Sequence, residues 1–322
     1  MYIEYAKSYS NGNYNVVIFK DGTKVRYNDE DSLVPDFPEC VDLKITDKCN
    51  LKCPMCHESS VCNGRHADLQ DCMDFVSSMH PYTEVAIGGG NPMCYPGLRD
   101  LLVECSNANV IPNMTVNIEH LKDPHTWFKV ADYLTNDLLN SIGVSVPFWY
   151  NKRQLRILKD NKFMTPGFKA STVLHMIVGL NTVKQMQELY GKGFKLLLLG
   201  YKTKGRGKEL REKSKDSDKI DKNTLELMDN LEEVIKGFNV VSFDNLAIKQ
   251  LRIGQFCKEK NLDFSKIYMG DDGDYTMYVD MVRREYAISS TDETRYSIET
   301  VDATEIFKNV QNIKKSKQIL EE

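Results

Sequence analysis

The segment Lys44-Ile-Thr-Asp-Lys-Cys-Asn-Leu-Lys-Cys-Pro-Met-Cys-His57 decides how the rest of the chain is read. Just before it, Val41, Leu43 and Ile45 alternate with Asp42, Lys44 and Thr46, which predicts a strand over Val41–Thr46. Three cysteines follow at once, Cys49, Cys53 and Cys56, in a CxxxCxxC spacing. A loop at the C-terminal end of a parallel strand is where such folds place chemistry. Three thiolates on one short loop can wrap one face of a cube. A [4Fe–4S] cluster normally takes four thiolates, so three local ones leave one iron open to a further ligand. The competing reading is a zinc site built from Cys49, Cys53, Cys56 and one of Cys40, Cys62, Cys72 or His57. A CxxC pair alone would favour zinc; the extra cysteine and its place after a strand favour the cluster.

Outward from this loop the pattern is strand then helix, repeated. Further strands are predicted over Glu84–Gly88, Asn113–Ile118, Ser141–Pro147, Ser171–Val178 and Phe194–Leu199, with a seventh near Val240–Phe243. Helices are predicted between them, over Leu69–Met79, Leu98–Ala108, Asp123–Leu134, Asn151–Asp160 and Thr182–Tyr190. Repeated units of this kind imply a parallel sheet with right-handed crossovers. The expected fold is α/β, a partial (β/α)6 barrel with an N-terminal β-hairpin and a small C-terminal α/β extension. The expected divisions are 1–38, 39–222 and 223–322.

Strands buried on both faces usually read as continuous apolar runs. Here Asp42, Lys44 and Thr46 share a face, as do Asn113, Thr115 and Asn117, and Ser141, Gly143 and Ser145. Buried polar groups without partners are costly. A polar lumen therefore points to a bound polar ligand rather than to water alone.

Composition limits the alternatives. The chain has 322 residues, with 41% hydrophobic and 27% charged, enough to bury a core. Lysine plus arginine total 42 and aspartate plus glutamate 46, a formal net charge of −4, which argues against binding a polyanion by bulk charge. No apolar run approaches the roughly 20 residues that span a bilayer, and the polar start MYIEYAKSYSNGNY lacks the apolar stretch of a signal peptide. A cytoplasmic protein is expected. Eight of the nine cysteines lie between Cys40 and Cys105 and Cys257 stands apart, an odd and clustered set that makes a poor disulfide framework.

Flanking segments are plainer. Tyr14–Lys20, a turn at Asp21-Gly22, and Lys24–Tyr27 read as the hairpin. Lys202 to Lys222 holds nine Lys/Arg and five Asp/Glu and reads as a solvated loop, or as a flexible loop over the barrel mouth. A helix is predicted over Thr224–Lys236. Strands are predicted over Lys266–Met269, Tyr275–Val282 and Glu285–Ser289, and a final helix over Thr304–Leu320. Cys72 and Cys105 fall on predicted helices as core thiols, and the spacings of Cys62, Cys72, Cys94 and Cys105 match no ligand pattern.

With its CNLKCPMC wording, its place after the first barrel strand and the strand–helix repeat over Glu39 to Gly200, the chain resembles the radical S-adenosylmethionine (radical SAM) superfamily. The resemblance implies a [4Fe–4S] cluster on Cys49, Cys53 and Cys56 whose open iron chelates the amino and carboxylate groups of S-adenosylmethionine (SAM). Reductive cleavage of SAM then yields a 5′-deoxyadenosyl radical that abstracts hydrogen from substrate. It implies adenine contact at Met55. It also implies backbone contacts to the SAM amino group at Gly88, Gly89 and Gly90, where Gly90 replaces the usual acidic residue and Asn91 could supply a side-chain oxygen. Asn117 and Ser145 are candidates for the ribose and carboxylate, and Val178 for a backbone contact to adenine. His175 and Tyr201 could line the lumen, with structural roles as the plainer reading.

Met269-Gly-Asp-Asp-Gly-Asp-Tyr-Thr-Met-Tyr-Val-Asp280 resembles the β-hairpin of the SPASM or twitch extension of radical SAM peptide maturases, without its cysteines. A degenerate extension, no auxiliary cluster and a structural Cys257 are expected. The function implied is a radical SAM enzyme acting on a peptide or protein, fed by a reductant such as flavodoxin or ferredoxin. The alternatives are a nucleotide- or RNA-modifying enzyme, supported only by Lys202–Lys222, and a non-enzymatic zinc-binding module. Neither a membrane nor a nucleic-acid partner is expected.

Overall fold

Strand and helix alternate from Cys40 onward in a computed structural model, which describes residues 5–19, 22–30, 32–160 and 165–321. Lys20 and Asp21 of the expected hairpin lie outside the described residues. The strands are β1 (Tyr5–Asn11), β2 (Tyr14–Phe19), β3 (Lys24–Tyr27), β4 (Cys40–Thr46), β5 (Glu84–Gly89), β6 (Ile111–Asn117) and β7 (Ser141–Ser145). They continue with β8 (Thr172–Ile177), β9 (Lys195–Leu199), β10 (Val240–Phe243), β11 (Thr276–Asp280), β12 (Glu285–Ala287) and β13 (Tyr296–Ser297). The fold is mixed α/β with one large, mostly parallel sheet.

That sheet has ten strands in the order β10-β9-β8-β7-β6-β5-β4-β11-β12-β13. Neighbours from β10 to β11 pair in parallel, and β12 and β13 are antiparallel. Alternation along each strand sorts the side chains. Val41, Leu43, Ile45, Val85, Ile87, Met114, Val116, Ile142, Val144, Leu174 and Met176 are almost fully buried in one core. Helices cover that face, among them Leu69–Ser77, capped by Asp68, and Leu98–Asn107. At the lower end of the polar face, Ser141 Oγ donates to Asn113 Oδ1 at 2.7 Å, so Asn113 is satisfied within the sheet.

The ends of the chain depart from expectation. The segment before β4 is a three-stranded antiparallel sheet, not a two-stranded hairpin, because Tyr5–Asn11 pairs with β2. Its polar sequence conceals the strand: Asn11 is fully buried, donating to Tyr14 Oη and the Phe37 carbonyl and accepting from the Asp36 and Phe37 N–H groups. Residues 202–222 are largely helical, in Gly205–Glu212 and the start of Ser214–Asp229. The single helix expected over Thr224–Lys236 is two, broken at Asn230 before Leu231–Gly237. Lys266–Met269 is not a strand. Asp263 caps a short 3-10 turn at Phe264–Lys266, and Ile267 and Met269 are exposed with no face to bury. The strand β11 does form, but beside β4: Thr276 pairs with Cys40 and Asp280 with Lys44.

Candidate functional site

A cavity of about 500 Å³ opens at the C-terminal ends of the parallel strands. Cys49, Cys53 and Cys56 line it, with Met55, Gly88, Gly89, Gly90, Asn91, Asn117 and Ser145. Ten of the eleven candidate positions thus face one space. The eleventh, Val178, does not. Its side chain is buried in the core and its N–H donates to the Leu199 carbonyl at 2.9 Å; Ile177 takes the cavity-facing place.

The three thiols belong to no disulfide, and all are partly exposed. Burial raises the Cys53 pKa to about 11, the neighbouring Cys56 and Cys49 add to this, and the Arg206 cation opposes it. Burial likewise raises Cys49, against the Leu51 backbone hydrogen bond and Arg206. Among the described residues no three His, Cys, Asp or Glu groups are arranged around a single-ion position. Cys72, Cys105 and Cys257 are buried core thiols.

The glycine segment and the cysteine loop require each other. Gly90 N–H donates to the Thr46 carbonyl and Asn91 N–H to the Lys48 carbonyl, both at 2.7 Å. A Cβ on Gly89, whose φ is +109°, would stand 2.4 Å from the Thr46 oxygen, and one on Gly90 would stand 2.3 Å from the Lys48 oxygen. Gly88 differs: no atom lies within 4 Å of a Cβ built there, so the cavity reaches its backbone. Asn91 Oδ1 accepts from Met93 N–H and Nδ2 donates to Cys94 Sγ, which fixes the side chain within the turn. Asn117 Oδ1 caps Glu119 N–H.

Met55 sits against Leu180, Tyr201, Leu210 and Ile220, with Phe148 and Ile177, forming an apolar shelf. Tyr201 lines the cavity and its hydroxyl donates to the Gly207 carbonyl at 2.6 Å. His175 also lines it, and burial drops its pKa to about 4, so the ring is neutral at ordinary pH.

Charged groups complete the lining, and of these Glu58, Asp244 and Asp272 carried no sequence prediction. Lys44 Nζ lies 2.7 Å from Asp47, 2.5 Å from Glu58 and 3.0 Å from Asp280. Glu58, two residues beyond Cys56, also accepts from the Tyr278 hydroxyl at 3.1 Å. This knot ties the cysteine loop to β4 and β11. The lining also carries Asp42, Lys202, Asp244 and Asp272. Burial raises Asp42, with Lys202 opposing and Asp272 and Asp244 adding. Position at the end of β10 is the only sequence signal for Asp244; nothing local marks Asp272 or Glu58.

No protein-family model matches the chain, and no curated protein matches it. Solved structures do. Streptococcus suis SuiB superposes with a TM-score of 0.59 at 12% identity, covering 95% of this chain and 86% of SuiB. SuiB bound to S-adenosylmethionine gives 0.55 at 14%, covering 86% and 68%. SuiB bound to its precursor peptide SuiA gives 0.56 at 14%, covering 87% and 67%. The likeness is one of fold.

Proposed function

We propose that this chain is a radical SAM enzyme whose cluster is a [4Fe–4S] centre on Cys49, Cys53 and Cys56. The observation that carries the reading is that these three thiols share one cavity with Gly88–Gly90, Asn117 and Ser145. The donor set fits such a cluster: three free thiols on one loop, at the rim of a cavity with room beside them. The fold shared with SuiB, solved with S-adenosylmethionine bound, adds support. In this reading β4–β9 are the partial (β/α)6 barrel of residues 39–222, flanked by 1–38 and by 223–322, the latter a cysteine-poor relative of the SPASM or twitch extension.

When bound, cluster and SAM supply a reductive sulfonium cleavage and, from it, a carbon radical able to take hydrogen from a substrate. The chain's own residues bind and orient. Gly88 presents backbone to the SAM amino group, the Met55–Ile177–Tyr201 shelf holds adenine, and Asn117 Nδ2 and Ser145 Oγ serve the ribose and carboxylate. Neutral His175 closes the floor without adding charge. The substrate is a peptide, as SuiB bound to a precursor peptide supports. The wall of Asp42, Asp244 and Asp272 faces it. Lys204 and Arg206 direct their side chains to the carbonyls of Asp292, Cys53 and Ser60, which weighs against a nucleic-acid role for this stretch. A flavodoxin or ferredoxin is the reductant and the cytoplasm the compartment. No helix among the described residues is long and apolar enough to cross a membrane.

The test is anaerobic reconstitution with iron and sulfide, reduction with dithionite, and assay of 5′-deoxyadenosine beside a Cys53→Ala control. Product in the wild type that disappears in the control is expected. Protein that takes up no iron and sulfide would sink the reading.

A further inference from the structure

The stretch Lys202–Lys222 reads as solvated by its charge, yet its first helical turn is spent on the cysteine loop. Arg206 N–H points at the Cys56 carbonyl at 3.0 Å and at Ser59 Oγ at 3.2 Å. Its guanidinium donates through Nε to the Cys53 carbonyl at 2.9 Å and through Nη1 to the Ser60 carbonyl at 3.1 Å. One residue thus engages the loop at four positions from Cys53 to Ser60. The approach depends on the glycines either side. A Cβ on Gly205, at φ +50°, would stand 2.5 Å from the His57 oxygen, and one on Gly207 would stand 2.4 Å from the Lys202 oxygen. The N–H of a first helical turn has no partner within its own helix, so the Cys56 carbonyl satisfies one that would otherwise go unpaired.

We propose that Arg206, held between Gly205 and Gly207, is the positioning residue that latches the cysteine loop. It fixes the peptide planes around Cys53 and Cys56 and places a fixed cation beside the cluster. The proposal rests on the reading of Cys49, Cys53 and Cys56 as cluster ligands. Arginine suits the task because its planar guanidinium holds Nε and Nη1 in a fixed fork aimed at two separate carbonyls, whereas a lysine ammonium donates from a single point. A group outside the ligand set that orients the ligands and sets the local charge tunes a metal centre.

The test has two arms, run on wild type and on Arg206→Ala, Arg206→Gln and Arg206→Lys. In protein without the cluster, amide hydrogen exchange is followed over residues 53–61 and, as control, over β8. The expected result is exchange about tenfold faster over 53–61 in the alanine and glutamine variants, an intermediate value for lysine, and no change in β8. In reconstituted protein the midpoint potential is read by EPR-monitored titration. Loss of the cation makes the added electron less favourable, so alanine and glutamine shift the potential more negative while lysine holds it near wild type. Unchanged exchange over 53–61, an equal rise in β8, or an unmoved potential in the glutamine variant overturns the proposal. Wild type that takes up no iron and sulfide overturns the cluster reading instead, and the exchange arm still decides the latch.

Discussion

Lys44 Nζ stands 2.5 Å from the Glu58 carboxylate, with both side chains nearly removed from solvent. The pair joins the first strand of the large sheet to the residue two beyond Cys56, and Asp280 closes it from β11. Removing one partner of a buried ionic group leaves the others uncompensated. Lys44→Met should cost about 3–5 kcal/mol, visible as a lower urea midpoint. A loss under about 1 kcal/mol would show that the knot is not holding the loop.

His175 lies across Gly143, where a Cβ would stand 2.2 Å from the imidazole Cε1. Gly143→Ala should therefore displace the ring and lower stability by about 1–3 kcal/mol. His175→Ala makes the same space by another route. The double variant should recover much of the first loss, and a thermal-unfolding cycle on the four proteins measures that coupling. Strict additivity would contradict the contact.

Gly88 and Gly90 should separate binding from folding. A methyl at Gly88 meets nothing, whereas one at Gly90 meets the Lys48 carbonyl at 2.3 Å. Gly88→Ala should leave the melting temperature unchanged and weaken SAM binding at least about tenfold, or ~1.4 kcal/mol, by calorimetry. Gly90→Ala should lower stability first. Undiminished SAM binding by Gly88→Ala would remove the backbone of Gly88 from the ligand site.

Glu39 is buried beneath the small N-terminal sheet, with Arg26 Nε at 2.6 Å and Tyr14 Oη at 2.7 Å. Burial alone would raise its pKa, but the Arg26 hydrogen bond and the Lys24 and Arg26 charges outweigh that and hold it below the ordinary carboxylate value. Its stabilisation is thus present above the unfolded-state pKa of about 4.3 and lost as pH falls through the lower folded value. Between pH 6 and pH 3 the wild-type urea midpoint should fall more steeply than that of Glu39→Gln. Parallel slopes would rule the contribution out.

The strands β4 to β9 and the cysteine loop were legible because each is local: alternation along five to seven residues, then three cysteines within eight. The polar faces of Asp42, Thr115, Asn117 and Ser145 do line a cavity, as their period implied. What stayed hidden depends on distant partners. Nothing near Thr276 says that it pairs with Cys40, and nothing near Glu58 names Lys44. Charge misled over Lys202–Lys222, where Gly207 and Leu210 are buried and Arg206 turns inward. Val178, expected to offer a backbone contact, is absent from the cavity lining, where Ile177 stands, since the side chains of a strand alternate.

The pairing of β11 with β4 gives the site a place in time. During synthesis Cys49, Cys53 and Cys56 emerge early, while Asp280, which completes the Lys44 knot, and the β11 edge that flanks β4 emerge more than two hundred residues later. Contacts of such separation form late. A nascent chain therefore carries three loosely held thiols through most of its translation. A ribosome stalled before Thr276 should display a cysteine loop whose exchange and alkylation exceed those of the finished protein.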